Sequence, residues 1–112
     1  MARLALEADG FVVVGTAVDG ASAVAEVLRL QPDVVLLDVG LPDMTGFEVA
    51  SRLHEAGSTT AIVLASSREQ SDFGPLVAES GARGLIEKSL LSGDVVRALV
   101  TGSRPHDILA RP

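Results

Sequence analysis

The chain has 112 residues, 47% of them hydrophobic and only three aromatic, with a formal net charge of −6. That is room for one domain around an aliphatic core. The absence of Cys excludes disulfides, thiol catalysis and cysteine-ligated metals, and an acid excess without any Lys/Arg cluster argues against direct contact with nucleic acid or an anionic membrane. Three Phe are too few for a base-stacking platform. No apolar run reaches the roughly 18 residues of a membrane span and no signal-peptide pattern opens the chain, so a cytoplasmic location is expected.

Taken in order, Met1 to Ala8 reads as the end of a helix that Asp9-Gly10 stops. Phe11 to Ala17 (FVVVGTA) reads as a strand, followed by a turn at Asp19-Gly20 and a helix from about Ala21 to Leu30 that Pro32 stops. Val34 to Leu37 is an unbroken, β-branch-rich apolar run, the pattern of a strand buried on both faces, and it ends in Asp38. Pro42 and Gly46 interrupt regular structure after it, and Thr45 with Glu48 three residues on has the spacing of a capping box that opens a helix from Gly46 to about Ala56, ended by Gly57. Thr60 to Ser66 is the next buried strand. Ser71 can cap a helix with Pro75 in its first turn, which Gly81 ends. Gly84 to Glu87 is a short strand, Lys88 to Leu91 a loop, and Ser92 caps a last helix to about Thr101. The expected domain therefore spans residues 1–102, with a polar, frayed tail over 103–112. Strands alternating with helices at this spacing imply βαβ units and a parallel sheet, so the fold class is α/β.

In an open parallel sheet, ligands bind outside the carboxyl ends of the strands. There this sequence would gather Asp38, Ser66 and Lys88. A carboxylate can attack a phosphoryl group, an ammonium can offset the growing charge, and a hydroxyl can hydrogen-bond the product oxygens. The set suits phosphoryl transfer. A dinucleotide fingerprint is absent because Gly10, Gly15 and Gly20 are too widely spaced, and His54 and His106 have no partner at metal-ligand spacing. A phosphatase with an aspartate nucleophile would want a second Asp where Gly40 stands, so no enzymatic activity is expected.

The segments PDVVLLDVGLPDMTGFEVA, IVLASS and GARGLIEK resemble the receiver domain of two-component response regulators, over nearly the whole chain. The resemblance implies a flavodoxin-like, doubly wound parallel sheet of the (βα)5 type with strand order 2-1-3-4-5. It implies that Asp38 accepts a phosphoryl group from a sensor histidine kinase, that Ser66 and Lys88 contact that group, that Pro42 and Gly46 occupy the matching loop positions, and that a downstream output protein reads the result. It further implies Mg²⁺ held by Asp38 and the main-chain carbonyl of Gly40. The family also opens with a strand and an acidic pair that complete the metal site, and neither is found before Phe11. The metal site is thus expected to be incomplete, and the sheet to have a gap in its middle that invites self-association. Leu85 stands at the family's aromatic switch position and Ser89 where a Pro often follows the Lys. Two other readings fit the same residues: a degenerate receiver that binds partners without phosphorylation, and an N-terminally shortened form of an ordinary receiver.

Overall fold

The computed structural model describes residues 11–67, 74–99 and 107–110. The helix end expected at Met1 to Ala8 and the cap expected at Ser71 fall outside them.

Strand β2 (Val34–Asp38) is the core of the sheet. Its first four residues are buried, which an all-apolar run permits and a polar one would not, and Asp38 at the end is only partly covered. The chain before it forms β1 (Val12–Thr16) and α1 (Gly20–Leu30), and the chain after it forms α2 (Gly46–Glu55), β3 (Ala61–Ser66), α3 (Gly74–Ser80), β4 (Gly84–Glu87), α4 (Gly93–Leu99) and β5 (Asp107–Ala110). A single 3₁₀ turn, Lys88–Leu90, follows β4.

Because side chains alternate across a strand, β2 feeds two cores. Val35 and Leu37 pack with Ala23 and Val27 of α1 and Val49 and Leu53 of α2. Val34 and Leu36 face the other way, onto Phe11, Val96 of α4 and Ile108 of β5. Helices therefore cover both faces, as the doubly wound class requires.

The helix ends follow their local chemistry. Asp19 is the N-cap of α1: its side chain accepts from the Ser22 amide at 2.7 Å, and Ser22 Oγ accepts from the Asp19 amide at 3.3 Å, so the reciprocal capping box is found here. At α2, Thr45 Oγ1 accepts from the Glu48 amide at 3.2 Å. Ser92 Oγ accepts from the Val95 amide at the start of α4. Gly57 and Gly81, both at positive φ, end α2 and α3 in the conformation that glycine tolerates best.

The five strands are all parallel, in the order β1-β5-β2-β3-β4. Two expectations are corrected here. The sheet has no gap between β1 and β2, because β5 lies there, with Val12 opposite Asp107 on one side and Val34 opposite Ile108 on the other. Nor is the whole C-terminal segment a frayed polar tail, because Ile108, Leu109 and Ala110 are buried. The physical reason is that a slot between two parallel strands offers main-chain pairing on both sides and apolar cover on both faces. A three-residue apolar stretch can fill it without a strong strand propensity of its own, since strand preference is mostly set by packing context. The spatial order matches the one the resemblance implies, with β5 lying between β1 and β2 where that family has its first strand.

Asp33 secures the entry of β5: Asp33 N donates to the Asp107 carbonyl at 3.0 Å, and Asp107 N donates to Asp33 Oδ2 at 3.2 Å.

Candidate functional site

Parallel strands end on one rim, and the register decides which residues meet there. Asp38 is opposite Ala65 and Ser66 is opposite Glu87, so Asp38, Ser66 and Lys88 leave the ends of three adjacent strands within a residue of the same level. Lys88 Nζ lies 3.4 Å from Asp38 Oδ1, with the two side chains 37% and 19% exposed. The carboxylate is thus recessed and the ammonium reaches it from the solvent side. Ser66 is buried at the end of β3. Val39, Gly40, Thr45, Ala65, Ser66, Ser67 and Lys88 line an open concavity of about 430 Å³ at this rim. Every expected site residue on a strand end is therefore brought to one place. Ser67 was not foreseen, and its adjacency to Ser66 was the only signal.

The loop from β2 to α2 closes on itself. Gly40 and Thr45 form an isolated antiparallel bridge, Leu41 N donates to the Met44 carbonyl at 3.2 Å, and Gly46 N donates to the Val39 carbonyl at 2.8 Å. Gly46 is required for close approach rather than for its φ: a Cβ there would collide with the carbonyl oxygen of Asp38 and press on Leu64. Gly40 has open space around it. Pro42 is exposed on the loop.

Asp43, at the tip of that loop, was not singled out by sequence. Its Oδ1 accepts from the Gly20 amide at 2.7 Å and its Oδ2 from the Ala21 amide at 3.0 Å. These amides, Gly20 first, hold the Asp43 carboxyl below its ordinary range, with partial desolvation opposing them and the amides of Asp43 and Met44 helping. The contact joins residues 23 apart in sequence, and only the fold brings them together.

The described residues do not by themselves make a Mg²⁺ site. Mg²⁺ wants about six oxygens in near-octahedral order, whereas the rim offers the Asp38 carboxylate and the Gly40 carbonyl, and no cluster of three or more His, Asp or Glu is found among the described residues. The strand that takes the family's first place does not add carboxylates, since its acid, Asp107, lies at the opposite rim beside Asp33 and its rim-side residues are Leu109 and Ala110.

None of the described helices is long and apolar enough to cross a membrane. The response regulator receiver domain family matches residues 1–100. The positive alginate biosynthesis regulatory protein of Pseudomonas aeruginosa is 32% identical over 109 residues, covering 96% of this chain and 43% of that protein. The DNA-binding transcriptional activator EvgA of Escherichia coli strain K12 is 30% identical over 81 residues, 72% of this chain and 40% of that one. The chain thus spans less than half the length of these relatives. Among solved structures, the signal receiver domain of the response regulator NarL from Mycobacterium tuberculosis superposes with a TM-score of 0.79 at 31% identity, over 88% of this chain and 80% of that one. With the sheet order, the rim and these matches in agreement, the chain belongs to the response regulator receiver domain family.

Proposed function

We propose that this receiver accepts a phosphoryl group on Asp38 from a sensor histidine kinase and passes the signal to an output protein or domain. The observation that carries the reading is the 3.4 Å approach of Lys88 Nζ to Asp38 Oδ1, at the rim where Lys88 and Ser66 line the concavity. A carboxylate oxygen of Asp38 forms the new O–P bond as the phosphohistidine N–P bond breaks, and the released imidazole takes a proton from solvent. Lys88 offsets charge that grows on the phosphoryl oxygens, and the Ser66 hydroxyl donates to one of them. Retention of acid, hydroxyl and lysine together supports the phosphoacceptor over a receiver that works without phosphorylation.

The output surface in this reading is the face of α3, β4 and α4, where Leu76, Leu90 and Val95 are exposed. On the same face, Leu99 packs partly into the core. The charge-based expectation of no direct nucleic-acid contact does not extend to what such a receiver controls, since EvgA is a DNA-binding activator.

The test is labelling with a small acyl phosphodonor such as acetyl phosphate. The expected result is one phosphoryl group per chain, abolished by Asp38→Asn and slowed roughly tenfold or more by Lys88→Ala. Labelling that survives Asp38→Asn would show that another residue is the acceptor.

A further inference from the structure

The loop that follows Asp38 is held at its tip by a different element. Helix α1 begins at Gly20, and its first amides have no partner within the helix. Asp19, the N-cap, already serves one of them, at Ser22. Asp43 takes the two before it, Gly20 and Ala21, with one oxygen each, a charge-assisted two-point join between the loop and the helix. Met44 reinforces it: its side chain occupies the space a Cβ on Gly20 would need, and Gly20 is buried. The other end of the loop is fixed by Gly46 against the Asp38 carbonyl. Between these two anchors sit Gly40 and Thr45, bridged to each other, and both line the concavity. The Asp19–Ser22 capping box does not involve Asp43, so the join ties the loop tip to a helix start that has a cap of its own.

We propose that Asp43 is a positioning residue for phosphoryl acceptance: by locking the loop tip onto the first turn of α1, it fixes where Gly40 and Thr45 stand beside Asp38 and couples that turn to the state of the acceptor. This rests on Asp38 as the acceptor. A carboxylate in the acceptor loop thereby reads out to α1, on the opposite side of the site from β4 and α4. The coupling is mechanical, through main-chain amides, and does not depend on a ring at position 85, which is Leu.

The experiment uses the full chain with backbone amide resonances assigned. Replacing the acceptor charge by Asp38→Asn is expected to shift the Gly20 and Ala21 amide resonances, and Asp43→Ala is expected to reduce those shifts severalfold. In parallel, labelling by acetyl phosphate, at a temperature where both proteins are folded, is expected to slow about tenfold in Asp43→Ala. Asp43→Asn, which keeps one acceptor oxygen, should fall between, and it replaces Asp43→Ala if the latter does not fold. Equal shifts with and without Asp43, or an Asp43→Ala chain that labels at the parent rate, would overturn the proposal. If the parent itself does not label, the acceptor assignment fails, and the coupling is judged on the resonance shifts alone.

Discussion

β2 and β5 run side by side through the middle of the sheet, and both are buried on both faces, yet they are very different sequences. β2 is an uninterrupted Val-Val-Leu-Leu run that pairs with β3 at five positions. β5 is Asp-Ile-Leu-Ala, pairs with β2 at two positions and with β1 at four, and lies next to the chain's C-terminus. The first strand carries its own evidence. The second is a strand because of where it lands. A central slot supplies hydrogen-bond partners and apolar cover, so that Ile108, Leu109 and Ala110 need only be apolar and short enough to fit.

That contrast explains what could be read from the sequence. Long apolar runs such as Val34 to Leu37 and Ala61 to Ala65 announce buried strands, and the residue that ends each run announces the rim, which is how Asp38 and Ser66 were found. Caps are local chemistry, so Thr45 and Ser92 are legible at their helix starts, whereas Asp19 reads as part of a turn and the structure makes it the cap of α1. Long-range pairings are different. Nothing within a few residues of Asp43 encodes its bond to Gly20, and nothing around Ile108 encodes its place opposite Val34.

Removing β5 is expected to have the largest effect. A chain ending at His106 would expose the inner edges of β1 and β2 and take Ile108 and Leu109 out of the core. It is expected to lose cooperative unfolding or to associate through the bared edges, seen by sedimentation together with a thermal scan. An unchanged midpoint and a clean monomer would mean that β5 adds little.

A smaller effect is expected on the β2 side. Gly46→Ala must push against the Asp38 carbonyl, which is backbone and cannot easily give way. It should destabilise by about 1–3 kcal/mol in denaturant unfolding and also slow labelling, because the displaced atoms belong to the acceptor itself. Gly20→Ala meets the Met44 side chain and, at 3.1 Å, Val49 Cγ2, side chains rather than backbone, and should cost less. Equal costs at the two glycines would remove the distinction between a backbone contact and a side-chain one.

The smallest effect is a pH dependence. The Asp43 carboxyl is held below its ordinary value of 3.8, chiefly by the Gly20 amide. A group whose folded value is depressed stabilises fully above its ordinary value, and that contribution is lost as pH falls through the folded value. The stability difference between the parent and Asp43→Asn should therefore be steady near neutral pH and shrink as pH drops below about 4. A difference that grows on acidification would have the wrong sign.

Native-state amide hydrogen exchange reports whether Asp107–Ala110 is an integral middle strand of the sheet. The amides of residues 108–110 should be protected to nearly the same degree as those of 34–37, opening only with the whole domain. Exchange of 108–110 at the rate of a free peptide, while 34–37 remain protected, would contradict it.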